Sequence, residues 1–147
     1  MNKQQNENQS ENKHDTVLVE YGGLNAQIDK EIAPLILETW KADIQTIFSC
    51  QEDFDLPSHA YIQFPDIYEA EEFLKISFNN DDSLRLRISQ NYPEHIWFYK
   101  TWPIIFPNND KNEETIILWS TVVYISRFDL KTVTKNLISH NKVKNRV

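Results

Sequence analysis

The sequence predicts an α+β domain: a mainly antiparallel sheet carrying its helices on one face. Three observations carry this expectation. Short β-prone runs bounded by Gly, Pro, Asn and Asp alternate with stretches of helical periodicity. Two neighbouring runs, 44–50 and 60–64, are joined by a loop short enough for antiparallel pairing. Hydrophobic residues make up 40% of 147 residues and aromatics 12%, enough to build one core in a single domain.

Residues 1–15, MNKQQNENQSENKHD, hold no apolar side chain after Met1, cannot offset their ordering entropy and are expected to be a disordered polar tail. His14 falls in that tail and receives no role. Order is expected over 16–141. The run Thr16–Tyr21 reads as a strand closed by Gly22 and Gly23. Ile32, Leu35, Ile36 and Trp40 then share a helical face over 30–42, with Asp29 placed to cap it and Pro34 tolerable only near the first turn. The runs 44–50 and 60–64 read as strands, and Pro65 stops the second. Asp66-x-x-Glu69 has capping-box spacing and opens a helix that turns Ile67, Ala70, Phe73, Leu74 and Ser77 to one side. Leu84-Arg85-Leu86-Arg87-Ile88-Ser89 alternates and reads as a strand with one wet face. The run 96–102 reads as a strand ended by Pro103. The run 115–126 is apolar on both faces, as a central strand requires. A last helix spans 130–140 with Leu130, Val133, Leu137 and Ile138 inward, and 142–147 is a frayed basic end.

The resulting order, β-α-β-β-α-β-β-β-α, fits a ferredoxin-like β-α-β-β-α-β core with a C-terminal β-β-α extension. One echo runs through it. Tyr61-Ile62-Gln63-x-x-Asp66-Ile67-x-x-Ala70-x-x-x-Leu74 returns as Tyr124-Ile125-Ser126-x-x-Asp129-Leu130-x-x-Val133-x-x-x-Leu137. Duplication and the shared demands of helix capping both account for it.

Charge and composition narrow the function. A net charge of −7 disfavours phosphate-driven nucleic-acid binding. The two glycines are adjacent, so no glycine-rich phosphate loop exists, and there is no G-x-S-x-G element. One cysteine allows no internal disulfide and no multi-cysteine zinc site. No run approaches the ~18 apolar residues of a membrane span, and no apolar leader core is present; the expected location is the cytoplasm, with no cofactor and no membrane partner.

A few residues carry chemistry. Cys50 and His59 end and begin neighbouring strands, so an antiparallel pairing sets a thiol beside an imidazole, the minimum for a thiolate nucleophile. Against this, Cys50 shares parity with Ile44 and Phe48, the pattern of a small core residue, and Glu52, Asp53 and Asp55 oppose a thiolate. Cys50, His59, Asp53 and Asp55 are permissible metal ligands without any recognised spacing, and no metal is expected. Arg85 and Arg87 project from one strand face, where a pair of guanidinium groups clamps an anion or balances local acids. Trp97, Tyr99, Trp102 and Trp119 serve the core or line an interface. His95 and His140 fall next to turns or ends of the sequence pattern and receive no role.

The block Ile28-Asp29-Lys30-Glu31-Ile32-Ala33-Pro34-Leu35-Ile36, with Trp40, Thr46-Ile47-Phe48-Ser49-Cys50-Gln51 and Ala60-Tyr61-Ile62-Gln63-Phe64, resembles a group of small uncharacterised bacterial and phage proteins. In that group an I-A-P-L-I helix leads to a T-x-x-S-C-Q strand end, then Y-I-x-F and an acidic helix start; Arg127-Phe128-Asp129-Leu130 resembles their closing strand-to-helix turn. The resemblance implies a fold and no activity. The helix followed by Thr46-x-x-Ser49-Cys50 is also similar to the tRNA wybutosine-synthesis methyltransferase family, where a Ser-Cys-Ser-Gly-Arg turn ends the strand. Here Gln51-Glu52-Asp53 follows, without the glycine's backbone freedom or the arginine's charge.

The leading expectation is a non-catalytic module that binds a protein partner or small ligand through an open sheet face or an aromatic patch, with Gln51, Arg85, Arg87, Trp97 and Trp102 as candidate contacts. The alternative is an enzyme of tRNA-modification type, with Cys50, Gln51 and His59 at its site and an arginine holding an anion. A self-assembling subunit is the third. Fold class alone selects none of them.

Overall fold

The computed structural model describes residues 14–79, 81–89, 93–106 and 115–145. The first element is a hairpin. Strands β1 (Thr16–Tyr21) and β2 (Leu24–Asp29) pair antiparallel about Gly22 and Gly23. Both glycines have positive φ, +55° and +86°, which a two-residue primed turn requires and a side chain resists. Strand β2 was not expected from the sequence: Asn25 and Gln27 dilute its apolar content, and only Val19 and Ile28 of the hairpin are buried hydrophobics.

Helix α1 (Ala33–Lys41) starts later than periodicity predicts, which leaves Pro34 in the first turn where no hydrogen bond is lost. Asp29 does not cap it; Ile32 occupies the cap without a side-chain bond. Leu35, Ile36, Thr39 and Trp40 face inward, and the Trp40 indole donates to Thr46 Oγ1 at 2.9 Å. Strand β3 (Phe48–Cys50) is shorter than its β-prone run, and it pairs antiparallel with β4 (His59–Phe64) as expected. Helix α2 (Ile67–Phe78) is capped by Asp66, which accepts from Glu69 N at 3.0 Å.

The next segment corrects the sequence reading. Residues 82–89 form helix α3 (Asp82–Ser89), not a strand. Asp81 decides this: its Oδ1 accepts from Leu84 N at 2.9 Å and Ser83 Oγ at 2.7 Å, the bonding of a helix cap. Leu84 is wholly buried while Leu86 is exposed, so the alternating leucines share no face. After a short 3₁₀ turn (Pro93–His95) come β5 (Phe98–Phe106) and β6 (Ile116–Ser126). Strand β5 runs through Pro103, which an edge strand accommodates because the missing N–H costs no inner ladder bond. A 3₁₀ turn (Arg127–Asp129) leads to α4 (Leu130–Lys144), longer than the expected helix. Near its end, buried Asn141 donates to Glu38 O and Glu38 Oε2 of α1 at 3.0 and 2.8 Å.

The sheet order is β3-β4-β6-β5, antiparallel throughout, with the β1–β2 hairpin a separate ribbon. The α+β class holds. The ferredoxin-like path is not confirmed: β2 and α3 change the element order, and β1 pairs with β2 outside the four-stranded sheet. Strand β6 is central, as its two apolar faces require. Ala60, Ile62, Phe64, Val123 and Ile125 point to the helices and join Ile36, Phe73, Val133 and Leu137 in one core. Each of the larger of these side chains contributes about 1.5–3 kcal/mol by leaving water. The opposite sheet face carries Phe48, Tyr61, Tyr124 and Phe98, half-buried or exposed. The polar tail lies outside the described residues up to residue 13. Asp15 is already engaged, its carbonyl accepting from Lys30 N at 2.8 Å. No helix among the described residues is long and apolar enough to cross a membrane.

Candidate functional site

Two places on the molecule gather the residues that chemistry or binding needs. The first is the end of the sheet where β2 and β3 finish side by side. Gln51 N donates to Asp29 Oδ2 at 3.0 Å, and Gln51 Oε1 accepts from Glu31 N at 2.8 Å. These bonds clip the hairpin to the sheet, and they are the role the structure gives Gln51. His14 Nδ1 lies 3.2 Å from Asp29 Oδ2 and 4.0 Å from Cys50 Sγ. On the other side of the ring, His14 Nε2 stands 3.8 Å from Glu52 Oε2. Arg127 closes the cluster, its guanidinium 2.7 Å from Glu31 and 3.3 Å from Glu52.

Cys50 is therefore not a core residue. Its parity partner Phe48 is 58% exposed, so that parity marks the open sheet face. The thiol is half-buried and donates to Glu52 O at 3.0 Å. Burial, with Asp29 and Asp53 adding to it, pushes the Cys50 thiol above its ordinary value. That is opposite to what a thiolate nucleophile needs.

His59 does not join Cys50. The register pairs Cys50 with Tyr61 and His59 with Ser126. His59 is buried, with Nδ1 2.9 Å from Ser58 Oγ, Nε2 2.6 Å from Ile96 O and its ring against Phe98. Both ring nitrogens are engaged, Nδ1 with the adjacent Ser58 and Nε2 with the segment that leads into β5. Two shallow clefts, one between α2 and α4 beside Asn136 and His140 and one between β1 and α1 beside Val17 and Leu37, include neither residue.

The arginines separate because they stand on a helix, where positions two apart diverge. Arg85 is exposed. Arg87 Nη2 lies 2.6 Å from Oδ1 of the fully buried Asp129, whose Oδ2 accepts from Trp97 Nε1 at 2.9 Å. Trp97 also packs on Phe78 at 4.9 Å between ring centroids. Arg87 and Trp97 thus share Asp129, and Arg85 does not join them there.

The second place is the open sheet face and the arm beyond it. Phe48, Tyr61, Tyr124 and Phe98 form a row of rings with centroids 6.1, 5.9 and 4.5 Å apart. Lys100 Nζ stands over the Phe98 and Tyr124 rings. Strand β4 reaches only Thr121 of β6, so 116–120 pairs with β5 alone. This two-stranded arm has apolar residues on both faces: Trp102, Phe106 and Leu118 on one, Ile105, Ile117 and Trp119 on the other. Trp102 is 56% and Trp119 61% exposed.

Sequence reasoning missed His14, Asp29 and the arm's aliphatic residues. Positions 14, 29 and 50 have no motif spacing. The one available signal was Gly22-Gly23 between two runs, which as a hairpin turn sets Thr16 opposite Asp29. Comparison with known protein families, with curated proteins and with solved structures finds no match for this chain.

Proposed function

We propose that this protein is a non-catalytic binding module that docks a protein partner through the β5–β6 arm. The observation that carries the reading is the exposure of large apolar side chains on both faces of one ribbon. A surface of that kind is costly in water and marks an interaction site when contiguous. Trp102 and Trp119 are the anchor types that dominate interfaces, one on each face. The ribbon also keeps free edges beyond β4, suited to pairing with a partner's strand.

Charge favours a different protein over a second copy. The chain carries −7, so two copies repel, whereas β5 and β6 contain no carboxylate and one cation, Lys100. The arm suits a partner with an apolar groove. An accessory or regulatory role of bacterial or phage type accords with this.

Site-specific photo-crosslinking in the cells that make the protein tests it. A photoreactive residue at position 105 or 119 is expected to give one discrete adduct with another protein, absent when the probe sits at Glu71 on α2 and absent when Trp102→Glu is added. An adduct of twice the chain's mass, or no arm-specific adduct, overturns the proposal.

A further inference from the structure

We infer that His14, Asp29 and Cys50 form a binding site for a divalent transition metal of the zinc class, a site that ties the N-terminal hairpin to the sheet. Three donors of three types converge on one point from separate segments: the residue two before β1, the last of β2 and the last of β3. Nδ1, Oδ2 and Sγ all lie within 4.8 Å of one another. Zinc bonds to such atoms run to about 2.0–2.3 Å, which sets ligand-to-ligand edges of ~3.3–3.8 Å in a tetrahedron. The observed 3.2 Å and 4.0 Å bracket those edges. A thiolate with an imidazole and a carboxylate selects zinc, cobalt or iron over magnesium or calcium.

The arrangement around the donors argues for a metal over a catalytic relay. A relay needs hydrogen-bond reach, about 2.6–3.2 Å, from both imidazole nitrogens to thiol and acid, and Cys50 Sγ stands 4.0 Å from Nδ1 and Glu52 3.8 Å from Nε2. Here Cys50 and Asp29 both face Nδ1. Glu52 stands toward Nε2, the place of the carboxylate that orients a metal-bound histidine. Supporting contacts are already built: Gln51 N holds the Asp29 oxygen and Arg127 holds Glu52. On binding, the Cys50 thiol proton leaves to solvent and the sulfur bonds the ion, so affinity rises with pH. Three protein ligands leave a fourth position for water.

The consequence is mechanical. Among the described residues, the hairpin and the four-stranded sheet share no ladder. A metal bonded to both joins them, and it holds His14 against the body.

Cobalt titration of the purified full chain near neutral pH tests this, with the ion alone as probe. One equivalent is expected to produce sulfur-to-cobalt charge-transfer absorption that zinc abolishes. Cys50→Ser removes the absorption, and His14→Ala or Asp29→Asn weakens binding by about tenfold or more. Zinc raises the melting temperature of the wild type and not of Cys50→Ser. Absence of charge-transfer absorption in the wild type at excess cobalt overturns the inference without reference to any variant. So does binding that all three substitutions leave unchanged, which assigns the ion to surface carboxylates. Neither result bears on the arm.

Discussion

Tyr61 sits where the two halves of the sheet meet, facing Tyr124 across the β4–β6 ladder with Cys50 on its other side. Burial, followed by the charges of Cys50 and Asp53, pushes its phenol up to about 12; burial and Asp53 raise Tyr124 as well. The folded state thus favours the protonated phenol. Its contribution to stability is complete below the ordinary phenol value of about 10. It declines as pH climbs from there through the folded value of about 12. Spectrophotometric titration of the folded protein is expected to show a phenolic fraction ionising near 12 that Tyr61→Phe removes. Ionisation of every tyrosine at the ordinary value contradicts the stacked row. At this scale the sequence spoke clearly about residue types and poorly about company. Cys50 was recognisable as the one thiol, yet its neighbours His14 and Asp29 are brought to it by a hairpin turn, and His59 is carried away by a two-residue offset in register.

At the scale of elements, the instructive case is 82–89. Six alternating residues carry the period of a strand, but so short a run also fits a helix that buries a single leucine. The Asp81 carboxylate tips the balance by satisfying the Leu84 amide and the Ser83 hydroxyl. Those bonds, the backbone one first, hold its carboxyl below the usual carboxylate range. The sign follows: the cap stabilises above the unfolded carboxylate value and is lost as pH falls through the folded one. Asp81→Ala is expected to destabilise the protein by about 1 kcal/mol in urea denaturation at neutral pH, with the deficit shrinking under acid. An effect of zero at neutral pH removes the capping account. Asp66 caps α2 as its spacing predicts, whereas Asp129, its counterpart in the echo, abandons capping to hold Arg87 and Trp97.

At the scale of the molecule, the echo acquires a geometric meaning. Its two first residues, Tyr61 and Tyr124, are register partners, so the β4–α2 and β6–α4 copies are related by the local two-fold of an antiparallel pair. Helix α3 precedes β5 as α1 precedes β3, which gives two α-β-β-α halves behind the N-terminal hairpin. The halves differ in one respect that matters: β5 and β6 outgrow β3 and β4 and become the arm. Core and arm should therefore respond in opposite ways to truncation. Phe73→Ala, deep against Phe64 at 5.2 Å between centroids, is expected to cost about 3–5 kcal/mol. Trp119→Ser, exposed on the arm, should cost within about 0.5 kcal/mol in the same denaturation series. A large loss at Trp119 makes the arm part of the folded core and not an interface. The amino-acid order alone determined the α+β class, the α2 cap, the central place of β6 and the absence of phosphate loops, because periodicity, capping chemistry and composition act over a few residues. Tertiary structure decided that 82–89 is a helix, that His14 meets Cys50 and that an apolar strand pair stands in water, because these depend on register and on where the sheet ends, which no local pattern encodes.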